Sequence, residues 1–166
     1  AGQAEAFARE IQIAIDDLEA SGHGFSGFLF CPTFANEGLP NLPQDFMQPA
    51  AKVIHAAGGI LIADEVQPGF GRSGDTWWGY VWLGLSPDVV TLGKPMANGH
   101  PVAAVVARTE VMAAFRNAFG YFNTFGGNPV SCSAAAATLD VIENENLVAN
   151  AKTIGAEFLQ NLQGLD

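Results

Sequence analysis

Basic residues are scarce in this sequence. Lysine and arginine together number 7 among 166 residues, against 17 aspartates and glutamates, and the formal net charge at pH 7 is -10. Such a surface repels phosphate backbones and anionic lipids, so the charge argues against nucleic acid and membranes as partners. It is typical of the solvated acidic surface of a soluble cytoplasmic protein, and we predict a cytoplasmic localisation.

Cysteines and long apolar runs are also few. The two cysteines, Cys31 and Cys132, lie far apart without a CxxC spacing, which predicts small core residues in a reducing compartment rather than a metal site or a disulfide framework. No apolar stretch is long enough to cross a bilayer, and the first residues lack the basic flank and apolar core of a signal peptide. The sequence does not begin with methionine, so we expect it to be part of a longer protein.

Apolar residues, by contrast, make up 49% of the sequence, enough for an extensive core. Helical and strand patterns alternate along the chain. We predict helices at 3–20, 44–57, 109–119 and 129–145, and strands at 27–32, 59–66, 88–94 and 101–108. The alternation predicts an α/β fold in which helices flank a mostly parallel sheet. The last two strands are joined by a connection too short for a crossover helix, so we predict that this pair is antiparallel.

An acid pair ends the most apolar of these strands. In GILIADEVQPGFGRSG (59–74), Asp64 and Glu65 follow a glycine-bounded apolar run, the pattern of a strand covered on both faces. An ionised carboxylate is costly to bury without a partner, so we expect Asp64 at the strand end, facing a cation, a metal or a hydrogen-bond donor. In open α/β sheets ligands bind at that edge. Glu65 points to the opposite face and is predicted to be a structural acid.

A P-loop ATPase would also place acids after an apolar strand, where they bind magnesium. That function requires a GxxxxGK[ST] loop. The Gly-Lys pair of this sequence is Gly93-Lys94, which follows the acids, and Pro95 stands where serine or threonine is needed. The pattern therefore argues against nucleotide hydrolysis.

Lys94 has a different setting from the two other lysines. Lys52 and Lys152 lie in helical or charged segments and are predicted to be ordinary solvated side chains, whereas Lys94 follows the apolar run 89–92. Desolvation at a sheet edge favours the neutral amine, which attacks carbonyl groups. A salt bridge to Asp64 is an equally supported alternative.

A second site-like stretch is YFNTFGGNPV (121–130). Asn128 and Pro129 predict a helix start, with asparagine as N-cap and proline at the first helical position. The glycines before them leave the backbone free to approach a ligand, and the hydroxyl of Thr124 lies beside them. Such a helix start suits an anion such as phosphate. A capped helix with nothing bound is an equally supported alternative.

Three stretches, ADEVQPGFGRSG, PDVVTLGKPMANGHPVAAVV and NTFGGNPVSC, occur in this order and resemble the class III aminotransferase family of pyridoxal-phosphate enzymes, which has the aspartate-aminotransferase-like fold. The resemblance covers about residues 25–165. The segments GKPMANGHPV and YFNTFGGNPVSC are most similar to the branch of ethanolamine-phosphate phospholyases and alanine-glyoxylate aminotransferases. The resemblance implies that residues 1–144 are part of the cofactor-binding large domain and that 145–166 begin the C-terminal small domain.

The resemblance also implies a role for individual residues. Lys94 would carry the Schiff base to pyridoxal 5'-phosphate and then move the proton between substrate and cofactor. Asp64 would pair with the pyridine nitrogen and keep it protonated. Val66 would press against the ring, Gln67 would reach the ring hydroxyl, and Thr124 would bind the cofactor phosphate of the neighbouring subunit. A homodimer follows, and no metal is expected.

The reaction implied is amino-group transfer between an amine or amino acid and a keto acid or aldehyde. Two alternatives stay open: elimination of phosphate from a phosphorylated amine such as phosphoethanolamine, and a non-catalytic domain of the same fold. Many relatives carry a QGEGG-like segment where this sequence has CPTFANEGLPNLP, in which Glu37 is the candidate acid. Arg72 is interpreted as shaping its loop through hydrogen bonds, and His100 as a turn residue. Family segments that grip the phosphate and stack on the ring are missing, so we expect this chain alone to be inactive.

Overall fold

Helices pack on a four-stranded sheet in the computed structural model of this chain, which describes residues 2–165. The helices are α1 (Gly2–Ala20), α2 (Gln48–Ala56), α3 (Gly79–Trp82), α4 (Thr109–Ala118), α5 (Pro129–Asn144) and α6 (Leu147–Gln163). The strands are β1 (Gly27–Phe30), β2 (Ile60–Asp64), β3 (Val89–Leu92) and β4 (Ala104–Ala107). Two 3-10 turns span Ala35–Glu37 and Lys94–Ala97.

The sheet has the strand order β1-β2-β3-β4. The pairs β1–β2 and β2–β3 are parallel, whereas β3–β4 is antiparallel. The prediction of an α/β fold with a mostly parallel sheet is therefore confirmed, as is the antiparallel last pair. In the register of β2 and β3, Asp64 lies opposite Thr91, and the Glu65 N–H extends the ladder by donating to the Thr91 carbonyl.

The core lies where α1 and α2 cover one face of the sheet. Its buried side chains are Ala8, Ile11, Ile15, Phe30, Phe46, Met47, Ala50, Ala51, Ile54, Leu61, Ala63 and Leu83. Burial alternates along β2, because Leu61 and Ala63 are buried while Ile60 and Ile62 are half-buried. The prediction that this strand is covered on both faces is wrong for this chain, since α1 and α2 pack on a single face of it.

Prolines explain where two elements differ from their predicted bounds. Helix α2 begins at Gln48 rather than at residue 44, because Pro49 belongs in a first helical turn, and 44–47 form turns instead. Strand β4 begins at Ala104 rather than at 101, since Pro101 has no N–H to donate to the sheet.

The cysteines and the membrane question can be checked directly. Cys31 is half-buried, but Cys132 is exposed on α5, so its predicted core position is wrong. Within residues 2–165, none of the helices combines the length and apolar character that a membrane span needs.

Candidate functional site

Asp64 and Lys94 lie at the same edge of the sheet. Asp64 is the last residue of β2, and Lys94 comes two residues after the end of the neighbouring parallel strand β3. Because parallel strands run in the same direction, their carboxyl ends meet at one edge, where open α/β sheets bind ligands. The two residues predicted to carry the chemistry are thus brought to one edge by adjacent strands.

The Asp64 carboxylate is held by one of its two oxygens. Its Oδ1 accepts hydrogen bonds from the Val66 N–H at 3.0 Å and from the Thr91 hydroxyl at 3.4 Å. Its Oδ2 accepts no hydrogen bond from residues 2–165. In that range, every fully buried side-chain oxygen of a half-buried residue has a hydrogen-bond partner, so an oxygen without a partner is not fully buried. Oδ2 is therefore accessible, and a ligand that donates a proton can reach it.

Lys94 opens the 3-10 turn after β3 in a left-handed backbone conformation, with φ of 40°. Such a conformation costs a non-glycine residue on the order of 1 kcal/mol, and residues held in it cluster at functional sites. The predicted desolvation of Lys94 is wrong for this chain, because its side chain is exposed at an open sheet edge. Among residues 2–165, the ion pairs join Asp88 to His55 and Arg108, and Asp75 to Lys152. The alternative of a Lys94–Asp64 salt bridge is therefore not formed there.

The three other predicted cofactor residues differ in their positions. Val66 and Gln67 are half-buried directly after β2. The Val66 side chain packs against the backbone before Lys94, since a Cβ on Gly93 would lie 3.6 Å from Val66 Cγ2. Thr124 instead lies in an exposed segment, 120–127, and makes no hydrogen bond to the other four within the described part of the chain.

Glu65 is the most buried charged residue at this edge. Its side chain is fully buried and accepts hydrogen bonds from the N–H groups of Gly79 at 2.9 Å and Tyr80 at 2.8 Å, in the first turn of α3. Burial raises the pKa of Glu65, the two N–H donors counteract part of that rise, and Asp64 adds to it. The prediction of a structural acid on the face opposite Asp64 is confirmed.

Two side chains that support the site were not predicted. The Thr91 hydroxyl donates to Asp64, a contact that depends on the register of two strands. Asn123 Oδ1 accepts from the N–H groups of Phe125 and Gly126 and so orders the segment around Thr124. Asparagine just before glycines favours such a turn, so a sequence signal for Asn123 existed. The predicted N-cap is confirmed, since Asn128 Oδ1 accepts from the Ser131 N–H.

Arg72 lines a cavity of about 410 Å³ between the glycine-rich loop and α5. The side-chain hydrogen bonds that arginines make within residues 2–165 are those of Arg108 to Ser86, so the predicted role of Arg72 in shaping the loop through hydrogen bonds is wrong. Backbone hydrogen bonds shape the loop instead, from the Gly71 N–H to the Trp77 carbonyl and from the Gly74 N–H to the Gly71 carbonyl.

Known proteins are similar to this chain in sequence and in structure. The chain is 40% identical over 145 residues to human mitochondrial alanine-glyoxylate aminotransferase 2, covering 87% of this chain and 28% of the relative. It is 35% identical over 161 residues to ethanolamine-phosphate phospho-lyase homolog 1 of Caenorhabditis elegans, covering 96% of this chain and 34% of the relative. The structure of an Arthrobacter phospholyase in complex with phosphoethanolamine matches with a TM-score of 0.92 and 44% identity, over 98% of this chain and 38% of that one.

The chain thus spans about a third of the length of the relatives it matches. Class III aminotransferases are pyridoxal-phosphate-dependent enzymes. The family model for class-III aminotransferases matches residues 2–166. The chain belongs to the class III aminotransferase family.

Proposed function

We propose that this chain is the central part of a pyridoxal-phosphate-dependent transaminase, in which Lys94 and Asp64 contact the cofactor and the reacting atoms. The observation that carries the proposal is the accessible Oδ2 of Asp64 at the sheet edge that also bears Lys94. A non-catalytic domain would not need a half-buried carboxylate with one oxygen fixed and the other free.

Asp64 fits the pyridine ring of the cofactor. When bound, pyridoxal phosphate withdraws electrons from the α-carbon of an attached amine, most strongly when its ring nitrogen is protonated. The Val66 N–H and the Thr91 hydroxyl fix the orientation of the carboxylate through Oδ1. Oδ2 is left to accept the ring N–H and to hold the proton there by its negative charge.

Lys94 supplies the amine at the same sheet edge. Its Nζ would hold the cofactor covalently and then carry a proton to and from the α-carbon of the substrate. The left-handed φ of Lys94 fixes the direction in which the side chain leaves the strand end. Val66 would pack on the ring and Gln67 would reach its hydroxyl, since both follow Asp64 at the same edge.

We further propose a homodimer in which Thr124 binds the cofactor phosphate of the neighbouring subunit. In support, the segment around Thr124 exposes Tyr121, Phe122 and Phe125 by 70%, 85% and 80%, and apolar side chains exposed to this degree mark interaction surfaces. The acidic net charge supports the proposed cytoplasmic localisation without nucleic-acid or membrane partners.

We also propose that residues 1–144 belong to the cofactor-binding large domain and that 145–166 begin the small domain. The break between α5 and α6 supports this division, because Asn146 adopts a left-handed conformation there with φ of 53°.

Elimination of phosphate from phosphoethanolamine is a second candidate reaction. The Arthrobacter phospholyase has a higher identity to this chain, 44%, than the human aminotransferase, at 40%. Both reactions begin with removal of the same proton, so Lys94 and Asp64 would have the same roles in either. We rank transamination first, because membership of the aminotransferase family carries more support than membership of one branch.

The first experiment tests cofactor binding by the complete protein. Pyridoxal phosphate is added to the wild type, to Lys94→Ala, to Asp64→Asn and to the control Lys52→Ala, which changes an exposed lysine on α2. We expect a cofactor absorbance band in the wild type and the control, its loss in Lys94→Ala, and weaker binding in Asp64→Asn. A band that persists unchanged in Lys94→Ala would refute the proposal.

The second experiment distinguishes the two reactions. The loaded protein is incubated with an amino donor plus glyoxylate or pyruvate, and separately with phosphoethanolamine. A new amino acid in the first reaction supports transamination, and release of phosphate and ammonia in the second supports elimination. Turnover in neither would support the non-catalytic alternative.

A further inference from the structure

Ser131 has a buried hydroxyl that joins three parts of the chain. The residue is 5% exposed, and its Oγ lies 2.9 Å from His100 Nε2, 2.9 Å from Asn128 Nδ2 and 3.4 Å from the Pro101 carbonyl oxygen. Ser131 belongs to the first turn of α5, whereas His100 and Pro101 lie in the connection before β4. The helix cap alone requires none of the contacts to that connection.

Two of these three hydrogen bonds have a direction fixed by the chemistry of the partner. Asn128 Nδ2 can only donate to Oγ, and the Pro101 carbonyl can only accept from it. Oγ has a single proton, which it can give to the Pro101 carbonyl at 3.4 Å or to His100 Nε2 at 2.9 Å, so the direction of the His100 hydrogen bond depends on the tautomer of the imidazole. With the imidazole protonated on Nε2, all three hydrogen bonds form at once; with Nε2 unprotonated, Oγ donates to His100 in place of Pro101.

The three partners belong to the two segments that carry predicted cofactor residues. His100 ends the turn that begins at Lys94, and its N–H donates to the Ala97 carbonyl at 3.0 Å. Asn128 ends the segment that contains Thr124, and its Nδ2 also donates to the Phe125 carbonyl at 2.9 Å. The Ser131 hydroxyl is thus a direct link between the Lys94 turn and the Thr124 segment.

We propose that Ser131 is a positioning residue that fixes the Lys94 turn relative to the Thr124 segment. Without the hydroxyl, the first turn of α5 keeps its Asn128 cap but loses its hold on the connection after Lys94. The consequence for the cofactor rests on the proposed function. The coupling between the Lys94 turn and the Thr124 segment does not rest on the proposed function. The coupling and its consequence for the cofactor can therefore be refuted independently.

Amide hydrogen exchange tests the coupling without any cofactor. It is measured on the full chain for Ser131→Ala and for the matched control Ser133→Ala, which removes an exposed hydroxyl two residues along the same helix. Loss of one neutral hydrogen bond corresponds to about a tenfold change in an opening equilibrium. We expect exchange to rise about tenfold in both 94–101 and 121–128 in Ser131→Ala and to stay unchanged in Ser133→Ala. A rise confined to 128–132 would mean that the hydroxyl serves the helix cap alone, and would overturn the proposal.

His100 provides a second pair of variants that does not disturb the helix. His100→Ala removes a hydrogen-bond partner of Ser131 from an exposed residue, whereas His100→Gln places an amide group, which can donate or accept, near the position of Nε2. We expect His100→Ala to reproduce the faster exchange in 94–101 and His100→Gln to restore wild-type exchange. Equal exchange in both variants would contradict the role of the His100–Ser131 hydrogen bond, even if Ser131→Ala fails to fold.

The effect on the cofactor is read from reductive trapping. Pyridoxal phosphate is titrated into the complete protein, borohydride is added, and the labelled peptide is identified. We expect half-maximal labelling of Lys94 to require about tenfold more cofactor in Ser131→Ala than in Ser133→Ala. Equal labelling of the two variants would overturn the consequence for the cofactor. Absence of Lys94 labelling in the wild type would instead refute the proposed function and leave the exchange result standing.

Discussion

Replacing Glu65 with alanine is expected to destabilise the chain by about 3 kcal/mol. The carboxylate is fully buried and accepts two N–H donors, Gly79 at 2.9 Å and Tyr80 at 2.8 Å. A hydrogen bond to a charged group contributes about 1.5–3 kcal/mol, and each donor left unsatisfied in a buried place costs about 1–3 kcal/mol. Removing the buried charge returns part of this cost, because desolvation of Glu65 disappears with it.

The pH dependence has a defined sign. Burial raises the folded-state pKa of Glu65 above its usual value of 4.5. The stability that this group contributes is therefore fully present below the unfolded-state pKa and is lost as the pH rises through the folded-state pKa. Glu65→Gln has a side chain of nearly the same shape but does not titrate. Relative to Glu65→Gln, the wild type should lose stability as the pH rises above about 4.5.

Urea unfolding at a series of pH values checks both expectations. Tryptophan fluorescence is a suitable signal, because Trp78 precedes α3 and Trp82 ends it, close to the Glu65 hydrogen bonds. The control is Glu10→Ala, an exposed acid on α1, which is expected to change stability by less than about 0.5 kcal/mol. If Glu65→Ala is as stable as Glu10→Ala, or if Glu65→Gln keeps the wild-type pH dependence, the structural role is refuted.

Four further substitutions have expected outcomes. Burial opposes ionisation of Asp88, but the Leu61 N–H and the side chains of His55 and Arg108 outweigh it and hold the pKa of Asp88 below the usual 3.8. The wild type should therefore lose stability as the pH falls through that lowered pKa. Asp88→Asn should abolish this loss, as measured by urea unfolding. Gly74→Ala should lower the melting temperature, because φ is +79° and a methyl group would clash with the Lys152 backbone, whereas Gly155→Ala in the open middle of α6 should raise it. Asn128→Ala should cost about 1 kcal/mol in thermal or urea unfolding through loss of the α5 cap.

Patterns local to the sequence predicted the four strands, four of the six helices described within residues 2–165, and the edge at which the candidate site lies, but they did not predict α3 or α6. Apolar runs located every strand, and the short link after Lys94 predicted the antiparallel last pair. Since parallel strands end at one edge, Asp64 and Lys94 could be placed together without coordinates. Helix α2 was predicted too long because an apolar pattern does not say which proline begins a helix; Pro49, in its first turn, does so here.

Contacts between distant segments could not be predicted in the same way. The Thr91 hydroxyl reaches Asp64 because of the register of β2 and β3, which is set by packing of whole strands. The link from Ser131 to His100 joins residues 31 positions apart. The exposure of Lys94 depends on what covers the sheet edge. The apolar run before Lys94 predicts burial of the strand alone and gives no information about that cover.

Asp64 and Glu65 are adjacent at one strand end but have different surroundings. Successive strand residues point to opposite faces, so adjacent acids meet different surroundings. Glu65 is buried and uses its oxygens to hold α3, whereas Asp64 keeps Oδ2 free at the open edge. Neutralising each acid should therefore have separable effects: Asp64→Asn should weaken cofactor binding with little loss of stability, and Glu65→Gln should change stability while leaving Oδ2 of Asp64 in place. The two functions need two acids, because a carboxylate whose oxygens both accept hydrogen bonds from backbone N–H groups is not open to a ligand.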